Sequence, residues 1–424
     1  MLYVTTLYCG PRTGTACERG VDGTGLYPEL AAFQFSKGVS PALVSTVARF
    51  SALMPSFEHA QLEMVRQGVE LDLKAVRRIS ERLGTEVLTT RTRDLMAWRE
   101  GKLPPGHELS GKRVGVGIDG GRIRLREQRR PQRRKGKRIT RRRRYKGKWR
   151  EPKLLIIFEL DERGRMKRDT KAWIDGTFEG PDHLMELVTF HLHWLGAAKA
   201  EKVAFLSDGA PWIWDRLDWV QRRLGIAEGK TERILDWCHA VHHVSLALNR
   251  LRLSDKVRRR IFRRLRQDLR GGRADSVVRE LEERARGKPK ADGVWTEIEY
   301  IRKHLPHMQY KRLRRSGLPM GSGAIESAIR RVINQRLKGN GIMWLQDNAE
   351  AMLVLRAAVL TDRWEESLQH VRSSMSSNRR LDWHWAAPDI PEELADIEQL
   401  KPPPEFRPPI PQVLENKQLT ATSS

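Results

Sequence analysis

Apolar residues recur every third or fourth position through the first hundred residues, and this period predicts short helices. Residues 1–25 are rich in Gly and Thr and read as irregular; the helical pattern runs from Tyr27 to about Trp98. Ser40-Pro41 has the form of an N-cap followed by proline at the first helical position. Leu43, Val44, Val47, Phe50, Ser51 and Met54 then line one face. Ser56 is placed to cap a second helix with Leu62 and Val65 on its inner side. A third helix is expected over residues 71–83, stopped at Gly84, and a fourth over residues 85–99. Short helices joined by tight turns suit a helix-turn-helix DNA-binding domain over residues 26–105, or a plain helical bundle.

The period changes at Gly111. Residues 113–119 (RVGVGID) and 122–127 are predicted to form a β-hairpin around Gly120-Gly121. A third strand is expected over residues 154–160 (LLIIFEL), a fourth over 202–206 and a short fifth over 233–237. Helical patterns cover residues 182–194, 211–224 and 239–251. The order is three strands, helix, strand, helix, strand. This succession is that of an α/β, ribonuclease-H-like core, a mixed five-stranded sheet flanked by helices. The core is expected over residues 110–252 and 320–365, where helical periodicity returns in 324–336 and 345–360. Residues 253–319 read as an all-helical insertion. Residues 373–424 form a polar and Pro-rich tail (KPPPEFRPPIP) expected to be disordered toward its end.

Charge changes the picture from fold to partner. The 424 residues carry a formal net charge of +26, with 31% charged and 39% hydrophobic residues. A chain this basic points to a phosphate polymer or another anionic surface. Residues 129–150 hold 14 Lys or Arg in 22 positions and no acid. Such a run repels itself and is expected to be a long basic loop or hairpin extension that contacts phosphates without sequence specificity. No apolar run is long enough for a membrane span, and the N-terminus lacks a signal-peptide pattern. Cys9, Cys17 and Cys238 are too few and scattered for a disulfide framework. The expectation is a cytoplasmic, nucleoid-associated protein.

Two predicted strands deliver a carboxylate at their ends, Asp119 before Gly120-Gly121 and Asp208 before Gly209. Asp-Gly is also a common turn dipeptide, so either alone carries little. A third acid, Glu326, lies in GSGAIESAIRR at the start of a predicted helix that Ser322 is placed to cap. Glu350 and Asp347 compete for that role; the glycines before Glu326 favour it, because they permit close backbone approach. Three carboxylates on strand, strand and helix suit Mg²⁺ or Mn²⁺, hard cations that take oxygen ligands and support in-line phosphoryl transfer. Asp236 and His239 (DWCH) fall together at a strand-to-helix junction, as a phosphate contact or as a structural pair. Cys238, His239, His242 and His243 are too close in sequence to converge on one tetrahedral zinc. Arg330 lies on the face of Glu326, to contact a scissile phosphate or pair with Glu326. Arg141, Arg142, Arg143, Arg144, Arg330, Arg331, Arg336 and Lys338 are candidate DNA contacts, and Trp344 is either a base-stacking or a core residue. Trp212 and Trp214 read as core.

With these pieces assembled, the chain resembles DDE transposases of bacterial insertion sequences, most closely the Kra group (ISKra). GIDGGRIR, FLSDGAPWIW, ILDWCHAVHHV and GSGAIESAIRRVINQRLKGNGIMW carry the likeness, across residues 110–365. The resemblance implies that Asp119, Asp208 and Glu326 form the metal-binding triad and that Asp236 and His239 are the D-x-x-H pair beside it. It implies hydrolysis at element ends, strand transfer of the freed 3′-hydroxyl into target DNA, and a homodimer or larger assembly on DNA. The N-terminal third matches less distinctly. A nuclease of the same fold without strand transfer, and a non-catalytic DNA-binding derivative, are the alternatives.

Overall fold

The computed structural model describes residues 39–128, 145–289 and 293–378. The Cys9–Cys17 segment, Arg141, Arg142, Arg143 and Arg144, and the Pro-rich tail lie outside the described residues.

Five strands form one mixed sheet: β1 (Arg113–Gly120), β4 (Lys153–Glu159), β5 (Trp173–Thr177), β6 (Lys202–Ser207) and β7 (Thr231–Leu235). Their spatial order is β5-β4-β1-β6-β7. β1 runs antiparallel to β4 and parallel to β6; β4 pairs antiparallel with β5, and β6 parallel with β7. β1 and β4 are buried along almost their whole length, so both sheet faces are covered. This α/β arrangement is compatible with a ribonuclease-H-like core.

The expected hairpin at Gly120-Gly121 does not form. Both edges of β1 are already taken, by β4 and β6. Neither glycine has the positive φ that a tight two-residue hairpin turn requires. Gly121 serves another purpose: a Cβ there would lie 2.4 Å from Ile333 Cδ1. Residues 123–128 instead leave the sheet as β2 (Ile123–Gln128) and pair with β3 (Tyr145–Arg150) in a separate two-stranded arm. The described part of the basic run, residues 145–150, is therefore strand, which is the hairpin-extension alternative and not the loop. The fifth core strand is β5, whose WIDGT sequence is short and carries a turn-like Asp-Gly.

Before the sheet come α1 (Pro41–Leu53), α2 (Phe57–Arg66) and α3 (Leu73–Arg99). Ser40 and Ser56 cap α1 and α2 through their hydroxyls, as their positions predict. The inner face of α2 is Phe57, Ala60 and Met64; Leu62 and Val65 are exposed, contrary to expectation. Gly84 does not stop a helix. α3 runs through it for 27 residues, and a Cβ at Gly84 would lie 2.6 Å from that of Ala351. The glycine is a contact point between two helices.

α4 (Pro181–Trp194) follows β5, and α5 (Pro211–Trp214) and α6 (Leu217–Leu224) follow β6 where one helix was expected. α7 (Trp237–Arg250) starts directly after β7. The insertion comprises α8 (Asp255–Arg270), α9 (Ala274–Ala285), α10 (Val294–Lys303) and α11 (Tyr310–Arg315). α12 (Gly323–Ile329) then returns to the sheet and passes into a π-helical segment, Arg330–Asn334. α13 (Gln346–Leu360) packs on α1, α3 and β5, and α14 (Trp364–Asn378) follows it. The N-terminal helices thus share a core with the sheet's flanking helices.

Candidate active site

Every residue pair between β1 and β6 is offset by 89 positions, from Arg113↔Lys202 to Gly117↔Leu206. Asp119 and Asp208 have the same offset, so they leave adjacent parallel strands at one level. Alternation puts the Asp119 side chain on the same face of β1 as Gly117. α12 covers that face: a Cβ on Gly117 would lie 2.9 Å from the Ile325 Cβ. Glu326 is the next residue on α12 and is exposed.

The electrostatics record the convergence. The Asp119 carboxyl is pushed up to about 6. Burial is the main cause, and the negative charges of Asp208 and Glu326 add to it; the Gly120 N–H, at 2.6 Å, and the His239 charge oppose it. His239 is raised above its usual value by its bond to Asp236, with the charges of Asp236, Asp208 and Asp119 adding to this.

Asp236 ties the pieces together. It caps α7, with Oδ2 accepting from the His239 N–H at 2.8 Å and lying 3.0 Å from His239 Nδ1. Its Oδ1 accepts from the Ser322 N–H at 2.6 Å. Ser322 makes no side-chain cap to α12, contrary to expectation; its hydroxyl lies 2.8 Å from Glu326 Oε1. The Ser322 backbone, at φ −84° and ψ 12°, lacks the extended geometry of a capping residue, and its hydroxyl donates to the carboxylate instead. Glu326, Ser322, Asp236 and His239 therefore form one connected set, and the buried Asp236 carboxyl is held below its usual range mainly by bonds to His239 and Ser322.

Asp208 is held from the insertion. Its backbone carbonyl accepts from the Tyr300 hydroxyl on α10, and Ala210 N–H donates to its Oδ1 at 2.9 Å. His243 stacks on Tyr300 at 3.6 Å and its Nδ1 lies 2.6 Å from Glu297 Oε2. Tyr300, in EIEYIRKHL, carries no sequence signal beyond its helical period. Gly209, at φ +83°, lets His304 approach to 2.9 Å of where a Cβ would stand.

A cleft of about 650 Å³ opens at Asp119 and is lined by Arg122, Trp149, Arg150, Asn334 and Lys338. The arm supplies Trp149 and Arg150. The Arg122 and Arg124 guanidinium groups lie over the Trp149 ring at 4.9 and 5.7 Å, and Arg126 lies over Tyr145 at 4.8 Å. Trp149 and Tyr145 are both nearly half exposed. These two aromatics were missed because they sit inside the basic run. Lys338 and Arg330 are exposed as expected, Arg331 is half-buried, and Arg330 forms no ion pair with Glu326.

Arg336 departs from expectation, and Trp344 takes the core alternative. Arg336 is 3% exposed, lies over Phe57 and Trp344, and donates to Ser51 O at 3.3 Å. Burial lowers its guanidinium to about 10. Trp344 is 8% exposed, packs on Phe57, and docks β2 through backbone bonds with Arg124 and Arg126. Both are interior residues, because α2 covers the face that sequence alone leaves open. Trp214 is core, with its indole N–H donating to Ser207 Oγ, and Trp212 is half-buried.

Among the described residues no three His, Cys, Asp or Glu side chains stand as a ready-made metal cage. The donor chemistry nonetheless fits a hard divalent cation. Asp119, Asp208 and Glu326 offer only carboxylate oxygen, and their mutual repulsion at Asp119 is what a cation relieves. No helix among the described residues is long and apolar enough to cross a membrane. No protein-family model, curated protein or solved structure matches this chain.

Proposed function

We propose that this protein is a metal-dependent polynucleotidyl transferase with a ribonuclease-H-like core, a DDE transposase resembling the Kra group. The observation that carries this reading is the common level of Asp119 and Asp208 on adjacent parallel strands, with the Glu326 helix seated against Gly117. The cations Arg122, Arg150 and Lys338 in the cleft beside Asp119, which Glu151 also lines, support DNA as the substrate.

In this reading Asp119, Asp208 and Glu326 hold Mg²⁺ or Mn²⁺. A bound pair of such ions activates an attacking oxygen and stabilises the leaving oxygen of a phosphodiester. Asp236 keeps His239 oriented through Nδ1, which leaves Nε2 as the ring atom free to meet a phosphate oxygen. Arg122, Arg150 and Lys338 line the cleft as backbone contacts. Water attacks the phosphorus at the element end as the P–O3′ bond breaks and the 3′-oxygen leaves; the freed 3′-hydroxyl then attacks a target phosphorus and displaces the target strand's 3′-oxygen. Neither step needs a protein nucleophile. Joining two ends calls for a homodimer or larger assembly on DNA, and such chemistry belongs with the cytoplasmic nucleoid.

The test uses pre-cleaved DNA ends, taken from the sequences flanking the gene, with a supercoiled target plasmid and Mg²⁺ or Mn²⁺. Joined products are expected. Cleavage without joining would select the nuclease reading, and binding without either would select a non-catalytic DNA-binding protein.

A further inference from the structure

α8 carries cations that the proposed chemistry does not use. Its buried face is Ile261, Leu265 and Leu269. Lys256, Arg259, Arg263, Arg266 and Arg270 are all exposed, and their spacing of three, four, three and four residues keeps them on one face. No acidic side chain among the described residues pairs with any of the five. The same helix shows what pairing looks like: Arg258 reaches Asp255, and Arg264 reaches Glu280 of α9. The acids near α8 are thus spent on other arginines, and Asp268 on Arg273. Like charges one turn apart destabilise a helix, so an uncompensated row has a cost that a polyanion would remove.

The row also has a position. α8 packs on α7, whose first turn carries Asp236, Cys238 and His239. The Arg266 charge acts on the exposed Cys238 thiol, in the direction opposite to the charges of Asp236 and Glu326. The packing of α8 on α7 therefore sets the row beside the helix that starts at the Asp236–His239 pair. The fourteen helical steps from Lys256 to Arg270 rise about 21 Å, or roughly six base pairs of duplex.

We infer that the Lys256–Arg259–Arg263–Arg266–Arg270 face of α8 is a second duplex-binding surface, a phosphate rail that carries DNA from the active site along the insertion. It rests on the proposed action on DNA and adds a binding surface to it. Contacts of this kind fix the path of the duplex and carry no sequence information.

The test is binding of a fluorescent 40-base-pair duplex to the full chain across a NaCl series. Lys256→Gln, Arg259→Gln, Arg263→Gln, Arg266→Gln and Arg270→Gln together are expected to flatten the slope of log K against log salt by about 4.5, roughly 0.9 per lost contact. The double variant R263Q/R266Q, a milder change to the fold, is expected to flatten it by about 2. An unchanged slope in a variant with wild-type thermal unfolding overturns the rail and leaves the active-site reading standing. A wild type with no salt-dependent duplex binding overturns both.

Discussion

Gly117 and Ile325 stand in direct contact, and no side chain fits at Gly117: its Cβ would lie 2.9 Å from that of Ile325 and 3.0 Å from Ile156 Cγ2. This close approach is what brings the Glu326 helix to the strand that ends in Asp119. Gly117→Val is expected to push α12 outward and to cost about 1–3 kcal/mol of stability through overpacking. DNA-joining activity should fall further than stability does. Denaturant melts and an end-joining assay on the same variant check both.

The raised Asp119 carboxyl has a definite pH signature. Folding favours its protonated form, so the penalty is absent below the ordinary value of 3.8 and complete above about 6. Asp119→Asn is therefore expected to stabilise the metal-free protein by about 3 kcal/mol above pH 6, with the gain fading as pH falls toward 4. Melting curves from pH 4 to 7.5 measure this. Protons should also compete with cations at the site, so Mn²⁺ affinity should weaken as pH drops below about 6.

Asp236→Asn is expected to return the His239 imidazole toward its ordinary pKa. It should also cost about 1–3 kcal/mol, because one buried carboxylate serves both His239 and the Ser322 N–H. The raised His239 pKa means that its share of stability is whole below 6.5 and is lost as pH rises through the folded value. NMR titration of the ring, wild type against variant, reads the first effect directly.

Arg356 tests the link between the N-terminal helices and the site. Its guanidinium is buried without a carboxylate and donates to the carbonyls of Ala52 on α1 and of Arg331 and Val332 in the π-helical segment. Burial, with the Arg336 charge added, lowers it to about 10. Arg356→Ala leaves three carbonyls unpartnered and is expected to cost at least about 3 kcal/mol. Arg356→Lys should recover only part, since an ammonium cannot reproduce the planar fork. Limited proteolysis should show α1 released first.

Much of this was legible in the chain. Apolar runs ending in Asp119 and Asp208, the Ser40 and Ser56 caps and the late helix bearing Glu326 are all local signals, and the structure places them where their patterns predict; the Ser322 cap is the exception. The hairpin was misread because Gly-Gly between two strand-like runs looks the same whether the chain turns back or leaves the sheet; only the strands beside β1 decide. β5 was missed because five residues with an internal Asp-Gly carry no periodicity. Arg336 reads as surface and Trp344 stays ambiguous because α2, which buries them, is distant in sequence. Tyr300 acts through a backbone carbonyl, a contact that leaves no mark on sequence pattern.

Metal-dependent cleavage and joining of end DNA by wild type, Asp119→Asn, Asp208→Asn and Glu326→Gln tests the shared centre most directly. Each variant is expected to bind duplex as the wild type does and to lose at least about 100-fold in rate. Wild-type joining by any one of the three would contradict a single active site built from Asp119, Asp208 and Glu326.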